Sequence, residues 1–576
     1  MARAFDLVVR NGTVVDGTGG APFDADIAIA NGRIAQIGTI TSFGIEEIEA
    51  KGKIVTPGFV DIHTHYDGQA VWSERLSPSS SHGVTTVVGG NCGVGFAPCR
   101  PQDRERLISV MEGVEDIPEV VMTNGLTWDW ETYPEYVSAI EKRPHDIDFA
   151  SQIPHSAVRV YVMGERGANR EPATQDDLKR MQAVVREAVG AGALGFATSR
   201  LVIHKTGQGD PIPTWEAAES ELEAMAMALR QCGRGVLQAV FGVPGRTFED
   251  EIDLLSRLTR MSGRPASFTM VQDNARPEAW RDVMAHLAEA NSHGPRIRAQ
   301  VYPRPIGMVL GFDLSVNPFS LCPSYQKLAK LSFDERVKEL RKPEVRARLL
   351  KEEPQDPLIP LARFGRTFEQ TYPLGDPPDY EPAAEASIAA QATARGMNPE
   401  ELAYDLLMEN AGRGLLLVAL ANYGNRTLDP ILSMFTDPNG VIGLGDGGAH
   451  YGMICDSSYP TFVLQHWTRD RKGQRLPIER AIKALTSEPA ETVGLGDRGR
   501  LSIGRKADLN IIDHGKVLLH QPQIFRDLPA GGRRLFQRAE GYEATIVNGV
   551  VIARHGQHTG ALPGRLVRGA QPAPAA

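Results

Sequence analysis

Between about residues 58 and 446, short apolar runs of strand length alternate with longer stretches of helical period. The runs cover 58–63, 85–90, 148–153, 193–198, 235–240, 266–271, 297–302 and 441–446. Parallel strands cannot be joined by tight hairpins and need a crossover, so this alternation predicts βα units around a parallel sheet, and eight such units close into a barrel. Helices are expected at 176–190 and 215–231, opened by the capping-type residues Thr174 and Thr214. The interval 303–440 is too long for one helix. It is expected to be an insertion with helices of its own, one of them at 398–411, lying over the catalytic face as a lid or substrate wall.

Both chain ends have a different texture. Strand-like runs surround Asn11-Gly12 and precede Asn31-Gly32, and the pattern returns at 507–513 and 544–552. Asn-Gly between apolar runs signals a hairpin. The expected fold is therefore α/β: a (β/α)8 TIM-like barrel over 58–499, with a small β-sandwich built from 1–57 and 500–560. The last stretch, 561–576, is poor in large apolar residues and is expected to be a flexible tail.

Composition removes several function classes. The net charge is −9, with Lys and Arg scattered along the chain, so the basic footprint of a nucleic-acid binder is missing. No apolar run reaches the roughly 18 residues of a membrane span, and the first residues lack the apolar core of a signal peptide, which makes a cytoplasmic enzyme without membrane attachment the expectation. The sequence leaves the oligomeric state open, a homo-oligomer included. Five cysteines form no C-x-x-C pair, and Cys99, Cys232, Cys322 and Cys455 are expected to be reduced thiols.

In such barrels the chemistry sits where strands end and loops begin. The first strand ends in His63-Thr64-His65, and residues two apart on a strand share a face, so both imidazoles can grip one metal ion. The second ends in Cys92, set among Gly89, Gly90 and Gly93. His155 follows the third strand, Ser199, Arg200 and His204 the fourth, and Tyr302 ends the seventh. The eighth ends in Gly445-Asp446-Gly447-Gly448-Ala449-His450. A carboxylate in such a turn can ligate a metal and take a proton from water, with His450 orienting a ligand from behind. Arg200 can clamp a substrate carboxylate with two parallel hydrogen bonds, and Arg159 could do the same. His155 is either substrate-facing or bonded to a strand-end carbonyl. His466 and Trp467 read as structural.

Taken together, His63-x-His65, Asp446, the eight βα units and the paired ends resemble the amidohydrolase superfamily. Asn91-Cys92-Gly93, Pro154 to Arg159 followed by Val162-Met163-Gly164, Gly192 to Phe196, and Tyr302-Pro303 resemble its D-aminoacylase branch, which deacylates N-acyl-D-amino acids. The resemblance implies zinc held by His63 and His65, Cys92 as the ligand used where relatives have a carboxylated lysine, and Asp446 as ligand and general acid/base. It also implies that Tyr302 is aimed at the substrate carbonyl or carboxylate. The family's usual histidines from strands five and six are missing, since these strands end in Leu237-Gln238-Ala239-Val240 and Thr269-Met270-Val271-Gln272-Asp273. Amide oxygens are poor zinc ligands, so Gln238 and Gln272 are placed behind the ligands and a single ion is expected, zinc first and another divalent metal as the alternative. His204 can swing in as a replacement ligand or face the substrate.

The function expected is hydrolysis of a small-molecule amide, an N-acyl amino acid, with D stereochemistry implied by the resemblance alone. A cyclic amide or lactone is the first alternative, though residues 196–200 carry no lysine of the kind found in hydantoin-cleaving relatives. A catalytically silent relative with a binding or assembly role is the second.

Overall fold

The computed structural model describes residues 4–294, 296–355 and 360–574. At the N-terminus, β1 (Phe5–Val14), β2 (Phe23–Ala30), β3 (Arg33–Gly38), β4 (Gly44–Glu49) and β5 (Ile54–Pro57) pair with one another. β5 then pairs antiparallel with Leu509–Ile512, setting Val55 opposite Ile511, and this joins the two chain ends. The result is one hydrogen-bonded nine-stranded sheet running out to Gln557–His558, where two packed sheets were expected. Its apolar residues, among them Val9, Ile27, Val55, Leu509 and Ile546, share a buried core.

Asn11-Gly12 is not the expected hairpin turn. β1 runs through it, and the register jumps from Val9↔Ile27 to Gly12↔Ala25, so the pair forms a bulge. Asn11 takes a left-handed φ of 56°, and a Cβ on Gly12 would lie 2.4 Å from Val55 Cγ2. Asn31-Gly32 does turn the chain between β2 and β3.

The eight expected barrel strands are all present. β6 (Phe59–Asp61), β7 (Val84–Gly89) and β8 (Asp148–Ser151) form one parallel run. After Gln152 the chain continues as β9 (Ile153–Pro154), followed by β10 (Gly195–Ser199), β11 (Val236–Val240), β12 (Ala266–Met270) and β13 (Ile297–Val301). The helices between them bury one stripe each. Gln175–Ala191 buries Leu178, Met181, Val185, Ala188 and Val189, and its Thr174 cap accepts from Asp177 N at 3.2 Å. Each fully buried large apolar side chain contributes about 1.5–3 kcal/mol. The next helix starts later than expected, at Glu219. Thr214 is not its cap: its hydroxyl donates to Ser199 O at 2.7 Å.

The insertion builds β14 (Ile306–Leu310), β15 (Thr371–Pro373) and β16 (Leu416–Ala421) into an antiparallel sheet of order β14-β16-β15, with its own core around Phe312, Phe319, Leu407 and Val418. The helix expected at 398–411 spans Pro399–Gly412 behind Asn398. Asp429–Thr436 packs on β13 and on the eighth barrel strand, β17 (Gly440–Ile442), so this part of 303–440 belongs to the barrel. Strands one and eight close the ring through Asp446 N–H to His63 O (3.0 Å) and His65 N–H to Gly447 O (2.8 Å).

Of the stretch expected to be a flexible tail, residues 561–574 are not loose, and 575–576 lie outside the described residues. Val567 N–H bonds Phe149 O, Gly569 N–H bonds Gly192 O and Gln571 N–H bonds Gly494 O, while Val567 is buried with Val60, Val88 and Val441. One apolar residue at the right position, plus backbone groups that need partners, is enough to hold a polar segment down. Among the described residues, no helix is long and apolar enough to cross a membrane.

Candidate metal centre and active site

β6 ends at Asp61, whose Oδ1 accepts from His63 N–H at 3.1 Å. His63 and His65 then project the same way, their ring centroids 5.6 Å apart. Cys92 Sγ lies 3.4 Å from His63 Nε2 and 4.0 Å from His65 Nε2, and one ligand atom from each of the three falls within 4.8 Å of the others. Asp446 Oδ1 completes the group, 3.6 Å from His63 Nε2 and 3.5 Å from His65 Nε2. Cys92 and Asp446 both hold left-handed backbone, φ 54° and 48°. Such strain in non-glycine residues persists only where the surroundings enforce it. They do here: a Cβ at Gly90 would stand 2.1 Å from Gln152 O, and one at Gly445 1.9 Å from Asp61 Oδ2.

The protonation pattern fits a cation at this point. Gln300 Nε2 donates to Ser267 Oγ (2.8 Å), which leaves Oε1 facing His63 Nδ1 at 2.7 Å. His63 therefore carries its proton on Nδ1, and Nε2 presents a lone pair to Cys92 and the Asp446 carboxylate. Two imidazole nitrogens and a carboxylate converging beside a thiol suit a divalent metal. Behind His65, Glu115 Oε1 lies 3.3 Å from Nδ1 and Oε2 lies 3.4 Å from His450 Nε2, yet neither buried oxygen has a hydrogen-bond partner.

Burial lowers His63 to about 4 and His65 to about 3, and holds both imidazoles neutral. Burial first, then the carboxylates of Glu115 and Asp446, push the Cys92 thiol well above its ordinary range, and burial likewise raises Glu115. A bound dication would reverse both trends, giving a thiolate and a carboxylate–imidazole pair.

The site lies in a cavity of about 350 Å³ at the strand ends, which His204, His450 and Tyr302 also line. Its upper walls come from the insertion, through Ile306, Met308 and Leu420. Asp446 is the accessible member of the group, its side chain 20% exposed against 1% for each histidine.

Other expected site residues are engaged by partners other than substrate or metal, whether inside this cavity or away from it. His155 is buried between Thr198 Oγ1 (2.9 Å) and Glu221 Oε2 (3.3 Å), and Arg159 pairs with the same Glu221, so neither meets substrate. Arg200 pairs with Glu251 (3.4 Å) in the helix layer, because adjacent residues leave a strand on opposite faces. Gln272 is held by Pro277 O (2.9 Å) and Gly424 N (3.1 Å), tying the barrel to the insertion rather than supporting the ligands. Gln238 stays inside the barrel, in register with Ser267, with both amide atoms unpartnered. His204 stands outside the three-residue cluster, its Nδ1 2.8 Å from Ser199 Oγ. The Tyr302 hydroxyl donates to Asp456 O at 3.0 Å, so its one proton is not directed at a substrate carbonyl.

Glu115 and Gln300 were not anticipated. Gln300 had a signal, since Arg298, Gln300 and Tyr302 place polar residues at every second position of an otherwise apolar strand. Glu115 ends the helix Arg104–Glu115 and belongs to no motif.

An amidohydrolase family profile matches residues 46–553. The N-acyl-D-glutamate deacylase of Alcaligenes xylosoxydans xylosoxydans is 26% identical over 578 residues, 99% of this chain and 97% of that one. An uncharacterized protein of Mycobacterium tuberculosis is 28% identical over 586 residues, 96% of this chain and 93% of its own length. Among solved structures, the N-acyl-D-glutamate deacylase from Bordetella bronchiseptica, complexed with zinc and a phosphonate inhibitor, aligns with a TM-score of 0.63 at 22% identity, covering 98% of this chain and 99% of that one. That likeness supports an α/β, TIM-barrel-type domain. With the strand order, the site at the strand ends and a profile match over most of its length, the chain belongs to the amidohydrolase family, in its D-aminoacylase branch.

Proposed function

We propose that the protein hydrolyses the amide bond of an N-acylated amine at a single zinc ion held by His63, His65, Cys92 and Asp446. The observation that carries this reading is the convergence of two imidazole nitrogens, a thiol and an accessible carboxylate on the floor of one cavity. Such an ion, when bound, supplies polarisation of a carbonyl and acidification of a water.

The chain's own groups do the rest. Asp446 takes the proton of the attacking water and returns it to the departing amine, a role that suits the one carboxylate of the group that faces the cavity. Gln300 holds the His63 imidazole in the tautomer that leaves Nε2 bare, and Glu115 Oε1 stands 3.3 Å behind His65 Nδ1. With the Tyr302 hydroxyl committed to Asp456, His204 is the candidate donor to the developing oxyanion. Ser199 Oγ accepts from Leu201 N–H (3.3 Å) and can donate to His204 Nδ1, which leaves the Nε2 proton for substrate.

The relatives named as N-acyl-D-amino-acid deacylases make those compounds one class of candidate substrate, and the D configuration rests on those names. The test is turnover of N-acyl amines by the zinc-loaded chain. Release of amine that disappears in Asp446→Asn supports the reading, and the absence of release from any N-acyl amine overturns it.

A further inference from the structure

The walls of the cavity speak to the substrate's charge. Above the metal-site residues they are formed by Leu201, Ile203, Val271, Ile306, Met308 and Leu420, drawn from the loops after strands four and six and from the insertion. Among the described residues that line the cavity, none is an arginine or a lysine. The carboxyl side chains on the lining are those of Glu115, Asp446 and Asp456, and they face the cavity with no guanidinium or ammonium group beside them on its walls.

Nearby guanidinium groups are committed elsewhere. Arg304, fully buried behind Tyr302, spends its donors on Ser458 Oγ (3.0 Å), Cys455 O (2.8 Å) and Asp456 Oδ1 (3.0 Å). Arg200 is paired with Glu251. A carboxylate on the substrate would exchange water for apolar walls and acidic neighbours, with no bidentate partner in reach.

We infer that the substrate is an uncharged, apolar amide, an N-acyl amine whose amine half carries no free carboxylate. This rests on the amide-hydrolase reading and narrows it. Water adds across the C–N bond, the acyl half leaves as a carboxylic acid and the other half as a free amine.

The experiment compares N-octanoyl-phenethylamine with N-octanoyl-D-phenylalanine, which differ only in the carboxylate, and adds N-octanoyl-D-glutamate. All three are tested on the zinc-loaded full chain, for kcat/KM and for the rise in melting temperature on binding. The phenethylamide is expected to exceed both acids by at least about 100-fold in kcat/KM and to be the one that raises the melting temperature. In Val271→Arg, which puts a guanidinium on the cavity wall at a position outside the metal cluster, the preference is expected to shift toward the acids by about tenfold or more. Equal or faster turnover of the acids overturns the inference and leaves amide hydrolysis standing. No turnover and no binding of any of the three overturns both.

Discussion

Gln300 Oε1 lies 2.7 Å from His63 Nδ1, on the ring edge opposite the one that meets Cys92 and Asp446. An amide oxygen there fixes the tautomer, and partners of this kind typically set metal affinity by 10–100-fold. Gln300→Leu is therefore expected to weaken zinc binding by about that factor, measured by competition with a chelator, while far-UV circular dichroism stays unchanged.

Asp446 is assigned the proton transfer. Asp446→Asn keeps the shape of the turn and removes the base, so turnover should fall by about 10²–10⁴-fold with thermal stability retained. A variant working at near-normal rate refutes the assignment.

His204 is assigned to the oxyanion. Its replacement by Ala should lower kcat by about 10²-fold while the zinc content stays at the wild-type level, as expected for a residue outside the ligand cluster. Loss of zinc in this variant would make it a ligand instead.

Acid should destabilise the chain through buried histidines remote from the site. Burial lowers His82 from 6.5 to about 3, and its Nδ1 lies 2.8 Å from Thr461 Oγ1. Below pH 6.5 the unfolded chain binds this proton and the folded chain does not, so stability falls as pH drops from 6.5 toward 3. His82→Gln should flatten that slope in melting curves taken across this window; an unchanged slope would contradict the account.

Val567 fixes the C-terminal segment to the bottom of the barrel, 6% exposed among apolar neighbours. Val567→Asp should cost about 1–3 kcal/mol, read from urea denaturation, because a polar group replaces the apolar side chain packed on Val60, Val88 and Val441. A truly loose tail would tolerate it.

Much of this architecture is legible in the residues because it depends on local periodicity. Apolar runs two or more turns apart mark the eight strands, and His63, His65 and Asp446 announce themselves at the ends of the first and last. What escapes is anything settled by a distant partner. Asn11-Gly12 reads as a turn until Val55 packs against it and makes it a bulge. Arg200 and His155 look available until Glu251 and Glu221, from helices far along the chain, claim them. Glu115 reaches His65 from a helix end that no motif distinguishes.

Metal analysis of the purified chain asks whether these four side chains hold one ion. One zinc per chain is expected, lost in the double variant His63→Ala/His65→Ala and reduced in Cys92→Ser and Asp446→Asn. A wild-type chain that takes up no zinc when zinc is supplied, or a double variant that binds as much as wild type, would contradict it.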